Sequence, residues 1–310
     1  MNKKIITALI ALTLIIPATS NAANLSNKTT TPTVAILDTA LDSSLPIFKD
    51  RIAYEVCILE WNSCPNGKSF MEGTGAAKLP ANIISKKGFN HGTQMASIFV
   101  ANNPNVNIVF VRIIGNTVGG DRQITNEITI TNALDWVYKN RDVLNIQAVT
   151  MAQGHHNLGF AANYCPNTPA TQTRLKTFVA TGIPVFFAAG NHGDLKRIDW
   201  PSCIDDSISV GAATAQNELA IYSNYDVNKV DFIALGNTVG SEPVTGRQIA
   251  VRGTSASTQI AAANWLRVKQ AKPTLSYQEL YNLITRTSSP AKSTSTIIAK
   301  LINVEAAING

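Results

Sequence analysis

The chain has 310 residues, a hydrophobic fraction of 45% and a formal net charge of +6. It is long and apolar enough to bury a sizeable core, which excludes a disordered or low-complexity chain. Its basic residues are scattered rather than clustered, so no nucleic acid partner is expected.

Residues 1–22 read as a secretory signal. Lys3 and Lys4 form a basic lead, Ile5 to Ile16 an apolar run too short to span a bilayer comfortably, and Ser20-Asn21-Ala22 a small-residue cleavage site. No cysteine stands near the cut and no later run is apolar enough to cross a membrane, so no membrane anchor is expected. A secreted or periplasmic location follows. Cys57, Cys64, Cys165 and Cys203 all lie in the exported part. An even count in an oxidising compartment points to two disulfides, and four cysteines allow three pairings. Cys57–Cys64, around a turn-like loop, and Cys165–Cys203, between two strand-flanking loops, are the favoured pairs. A metal site is the alternative, although no C-x-x-C spacing is present.

After a polar lead, Thr33 to Leu37 reads as a buried parallel strand ending on Asp38. Residues 45–90 show no clear periodicity and read as an irregular surface excursion. Met95, Ile98 and Phe99 mark a helix opened by His91. Ile108 to Ile113 is a strand; Ile124, Ile128, Ala133, Trp136 and Val137 are spaced as a helix; Ile146 to Met151 is a further strand, ending on Ala152-Gln153-Gly154. Leu175, Phe178 and Val179 mark a helix that Gly182 stops. Pro184 to Asn191 runs from a strand into a tight turn, and Ser207–Ala212 and Val230–Ala234 are two more strands. Gly253 and Thr254 form a tight entry to an alanine-rich buried helix that carries Ser255 at its N-terminus. Ser276 to Glu279 is a capping box opening another helix. A Ser/Thr/Lys loop, 286–296, precedes a short C-terminal element. Strands alternating with helices predict an α/β fold, a mostly parallel sheet covered on both faces. No repeat or linker divides residues 23–310, which read as one domain.

Asp38, His91, Asn191 and Ser255 stand at strand ends or helix starts. Taken singly, each has an ordinary structural explanation: a turn residue, a solvated histidine, a loop amide, an N-cap. Together they fit acyl transfer. Ser255 would attack a carbonyl, His91 would carry its proton and Asp38 would fix the imidazole tautomer. The Asn191 amide and the Ser255 backbone N–H would hold the oxyanion.

Here the sequence resembles the subtilisin-like serine peptidases, the subtilases. The order Asp, His, Ser matches theirs. Val34 to Ser44 looks like the family's aspartate motif, His91-Gly92-Thr93 its histidine motif, Ala188 to Asn191 its oxyanion motif and Gly253-Thr254-Ser255 its serine motif. Ser223-Asn224-Tyr225 followed by Val230-Asp231 also fits. The resemblance implies a subtilisin-like three-layer sandwich and a serine endopeptidase. It further implies that Ala152, Gln153 and Gly154 bind an extended polypeptide substrate by β-augmentation. His192 would lie at the rim of the specificity pocket. His155-His156 could be a metal pair, a pocket wall or a solvated loop.

The departures from the family pattern are Ala40, Gln94, Leu235 and Gln259, none in the triad. The span from His91 to Ile108 is short, and Ile47 stands where calcium-binding relatives carry aspartate. The high-affinity calcium site is therefore expected to be absent, and no cofactor is expected. No pro-segment is evident between residue 22 and the first strand, so a separate inhibitor or chaperone protein is a candidate partner. The alternatives to an endopeptidase are a catalytically silent binding protein on the same scaffold, and a peptide ligase or macrocyclase using the same acyl-enzyme.

Overall fold

The computed structural model describes residues 29–117, 120–123, 125–155, 165–292 and 298–310. The expected signal segment, Ile124 and His156 lie outside them. The first half of the chain runs β1 (Thr33–Asp38), β2 (Ile52–Ile58), β3 (Phe70–Glu72), α1 (Ala81–Ile84), α2 (His91–Asn102), β4 (Asn107–Arg112), α3 (Glu127–Asn140) and β5 (Ile146–Met151). Then come α4 (Pro169–Ala180), β6 (Val185–Ala188), β7 (Ile208–Ala213), β8 (Phe232–Leu235), β9 (Asn237–Ser241) and β10 (Gln248–Arg252). The chain closes with α5 (Thr254–Ala271), α6 (Tyr277–Thr287), β11 (Ser289–Lys292), β12 (Ile298–Leu301) and α7 (Val304–Asn309).

Ten strands form one sheet in the order β11-β12-β8-β7-β6-β5-β1-β4-β2-β3. All pairs are parallel except the two outermost, β11–β12 and β2–β3. Alternation along each strand feeds two cores. Val34 and Ile36 of β1 join Met95 and Phe99 of α2 and Trp265 and Leu266 of α5 on one face. Ala35 and Leu37 join Ile130 and Leu134 of α3 and Leu175 and Phe178 of α4 on the other. Burial on both faces explains why the central strands are continuously apolar. This is a three-layer α/β sandwich, the architecture that the resemblance implies.

Three expectations need correction. Residues 45–90 contain β2, a parallel neighbour of β4, and β3. The first three residues of β2 are only half-buried, and Glu55 lies in its middle, so neither an apolar run nor an alternation marks it. Glu55 is nonetheless buried, its carboxylate accepting the Ala77 N–H at 3.2 Å. Within 286–296, α6 continues to Thr287 and β11 follows, with Ala291 its only buried residue; Pro290 is tolerated because this is an edge strand. In α3, Ile128 is 62% exposed, and Ile130, Ala133, Leu134 and Val137 form the buried face.

Both favoured disulfides are present. Cys57–Cys64 ties the end of β2 to its turn, and Cys165–Cys203 closes a longer loop.

Candidate active site

The strands β6, β5 and β1 are neighbours in the sheet, and their carboxyl ends deliver Asn191, Ala152–Gln153 and Asp38 to one edge. That is where parallel α/β sheets open a crevice. The helices α2 and α5 bring His91 and Ser255 to the same place, as their first and second residues.

The first half of the site is laced tightly. Asp38 is fully buried, and its Oδ1 accepts the Thr39 N–H at 2.7 Å. His91 Nδ1 lies 2.8 Å from Asp38 Oδ1 and 3.0 Å from Oδ2. An ionised carboxylate only accepts, so Nδ1 carries a proton, and in the neutral ring that leaves the lone pair on Nε2. The Thr39 hydroxyl accepts the Gly92 N–H at 2.9 Å and donates to the Phe89 carbonyl at 2.8 Å. The Thr93 hydroxyl accepts the Asp42 N–H at 3.0 Å. These bonds sew the turn after β1 to the start of α2. Gly92 is required there: a Cβ would stand 2.4 Å from the Ala40 carbonyl oxygen and 2.6 Å from the Phe110 ring.

The second half is held differently. Gly253, with φ +148°, turns the chain from β10 into α5, a conformation that favours glycine. Asn191 Oδ1 accepts the Thr254 N–H at 2.8 Å and the Thr254 hydroxyl at 3.2 Å. The Thr254 hydroxyl in turn accepts the Gly190 N–H at 3.1 Å. With its oxygen committed, the Asn191 amide has Nδ2 left as a donor, and Asn191 lines the cleft. Ser255 is half-buried, and its hydroxyl donates to the Ala152 carbonyl at 3.2 Å rather than to the imidazole. His91, Asn191, Gln153 and Ser255 all line one cleft of about 380 Å³.

Gln153 is buried, and its side chain turns inward. Nε2 donates to Asp38 Oδ1 at 3.0 Å and sits 2.8 Å from His91 Nδ1, so with the Thr39 N–H three N–H donors converge on one carboxylate oxygen. Its Oε1 accepts from the Arg122 guanidinium. Neither role was legible in the sequence, where Gln153 reads only as part of a substrate-binding segment. Ala152, Gln153 and Gly154 follow the end of β5 rather than forming a strand of their own. Gln153 and Gly154 make no backbone–backbone hydrogen bond among the described residues. A Cβ at Gly154 would meet the Trp200 carbonyl at 2.6 Å, which accounts for a glycine there. His155 pairs with Trp200 through backbone bonds of 2.8 and 3.0 Å. Its ring stacks on the Trp200 indole, and Nε2 donates to the Thr125 carbonyl at 2.9 Å, an arrangement that fits a wall better than a metal ligand. His192 is exposed, outside the cleft lining, with Nδ1 3.7 Å from Asp199 Oδ1. Among the described residues no group of three or more His, Cys, Asp or Glu is placed to hold a metal ion.

The profile of the subtilase family matches residues 29–301. The chain is 26% identical over 246 residues to the alkaline protease of Alkalihalobacillus alcalophilus, covering 75% of this chain and 58% of that protein. It is equally similar to subtilisin Savinase of Lederbergia lenta, where 75% of this chain and 82% of the relative are covered. The chain thus spans about three-fifths of the length of the first of these relatives. Among solved structures, a protease of Pseudoalteromonas arctica superposes with a TM-score of 0.70 at 20% identity over 91% of this chain and 90% of its own, which speaks to fold alone. With the match running through every motif from Asp38 to Ser255, this chain belongs to the subtilase family.

Proposed function

We propose that this chain is an exported serine endopeptidase in which Ser255, His91 and Asp38 act as one unit. Ser255 Oγ leaves the Ala152 carbonyl and attacks the scissile carbonyl carbon while His91 Nε2 takes its proton. Asp38 holds the imidazole through Nδ1–H and stabilises the imidazolium. The oxygen that becomes negative is met by Asn191 Nδ2 and the Ser255 backbone N–H at the positive end of α5. His91 then returns the proton to the leaving amine, and a water attacks the acyl-enzyme by the same route in reverse. The substrate backbone pairs with the backbone of Gln153 and Gly154, which makes no backbone–backbone hydrogen bond among the described residues. Residues 1–22 direct export, which suits a chain with two disulfides.

The observation that carries this reading is the doubly bonded His91–Asp38 pair in the cleft that also holds Ser255 and Asn191. The test is a fluorophosphonate probe with peptide product masses. Ser255 is expected to label, Ser255→Ala to stay unlabelled, and the products to gain one water. Labelling elsewhere, or none, would remove the triad; products joined to an added amine would make the protein a ligase.

A further inference from the structure

The cleft carries cations from three separate elements. Lys87 stands in the loop ahead of α2, Arg122 after β4, and Arg252 at the end of β10, and all three line the space with His91 and Ser255. The Arg122 stem passes close to Gly88, where a Cβ would lie 3.4 Å from its Cδ, so it is a near neighbour of Lys87.

The two arginines have neutral partners. The Arg122 guanidinium donates to the Gln153 amide oxygen, and that of Arg252 lies 4.2 Å above the centre of the Tyr222 ring. None of the residues lining the cleft is Asp or Glu. Asp38, beneath His91, is fully buried and already accepts from Thr39, His91 and Gln153. Elsewhere Arg51, Arg112 and Lys269 also meet neutral acceptors, but many other cations do not. Arg141, Arg174, Arg197, Lys229, Arg247 and Arg267 each reach a carboxylate. A cleft with several cations and no lining carboxylate focuses a positive potential on whatever enters it.

We propose that the cleft recognises polypeptide segments bearing acidic side chains beside the bond at Ser255. This rests on the peptidase reading for its turnover, but not for its binding. The acidic side chains of the substrate supply the counter-ions that the cleft lacks.

The experiment uses Ser255→Ala protein and two labelled decapeptides, one alternating Glu and Ala, the other Gln and Ala, with turnover of the same pair by the unaltered protein. The Glu peptide is expected to bind about tenfold more tightly at low salt. The advantage should shrink as salt screens exposed charge. Lys87→Gln and Arg252→Gln should each cut it about 2- to 5-fold. Lys176→Gln, on α4 at the opposite face, should leave it unchanged and so controls for net charge. Arg122 is left intact because it also holds Gln153.

Equal affinities, no detectable binding of either peptide, or a preference surviving the double variant would each overturn the proposal. So would an oligonucleotide displacing the Glu peptide as well as a peptide of equal charge does. Preferential binding with no cleavage of either peptide would sink the peptidase reading and leave the recognition standing. Indifferent cleavage of both would do the reverse.

Discussion

Two helix starts meet at this site, and they are built on opposite plans. At α2, the imidazole is locked before any substrate arrives: Asp38 holds Nδ1 through both oxygens, and Thr39, Gly92 and Thr93 bind the helix start to the turn after β1. At α5, the backbone is equally well held, through Thr254 and Asn191, but the hydroxyl that would react rests on the Ala152 carbonyl. The base needs one tautomer and one ring orientation throughout a cycle. The nucleophile must change partners within it. In the proposed mechanism the proton acceptor is thus pre-organised by short-range bonds, whereas the Ser255 hydroxyl must first leave the Ala152 carbonyl.

The sharpest way to break this comparison is to remove either reacting group. Ser255→Ala and His91→Ala should each lower kcat on the order of 10⁶-fold, and the double variant scarcely further, because the groups act as a unit. Additive losses in a steady-state assay would mean that the two starts work independently. Asp38→Asn should cost roughly 10⁴-fold, since an amide in that place permits the wrong tautomer. The same substitution with activity kept would show that the lacing alone orients the ring. Asn191→Ala should cost roughly 10²–10³-fold in kcat with little change in KM, because the lost donor acts on charge that develops only in the transition state.

Smaller effects test the scaffolding. Gly92→Ala forces a methyl against the Ala40 carbonyl and the Phe110 ring. Overpacking of that kind costs about 1–3 kcal/mol. At ~2–4 °C per kcal/mol for a chain of this size class, a clear fall in Tm by calorimetry is expected. An unchanged Tm would mean that the turn after β1 yields easily. Gln153→Leu removes one donor from Asp38 and should lower kcat only about 2- to 10-fold, the worth of a single hydrogen bond. A loss as large as that of Asp38→Asn would place Gln153 among the groups that orient the imidazole.

Much of this architecture could be read before any coordinates. Thr33–Leu37, Ile108–Ile113 and Ile146–Met151 are apolar throughout because both faces of the sheet are covered, and that leaves a plain trace in the chain. The four motif residues were legible for a related reason: each sits where a strand ends or a helix begins. The half-buried strand β2 was not legible, since its pattern of polar and apolar residues depends on what lies over each face. Nor was the buried side of α3, where Ile128 points outward despite its chemistry.

By itself, the sequence determined the apolar central strands, the helices that carry the motifs and which residue types could do acyl chemistry. Those are local matters of periodicity, turn chemistry and motif. Only the tertiary structure decided that Gln153 faces Asp38 rather than solvent, that the Ser255 hydroxyl rests on Ala152, and that Lys87, Arg122 and Arg252 share one cleft. The physical reason is that a side chain's partner is set by which surfaces the sheet brings together. The strands β1, β5 and β6 are far apart along the chain, and nothing local to any of them states that they will lie side by side.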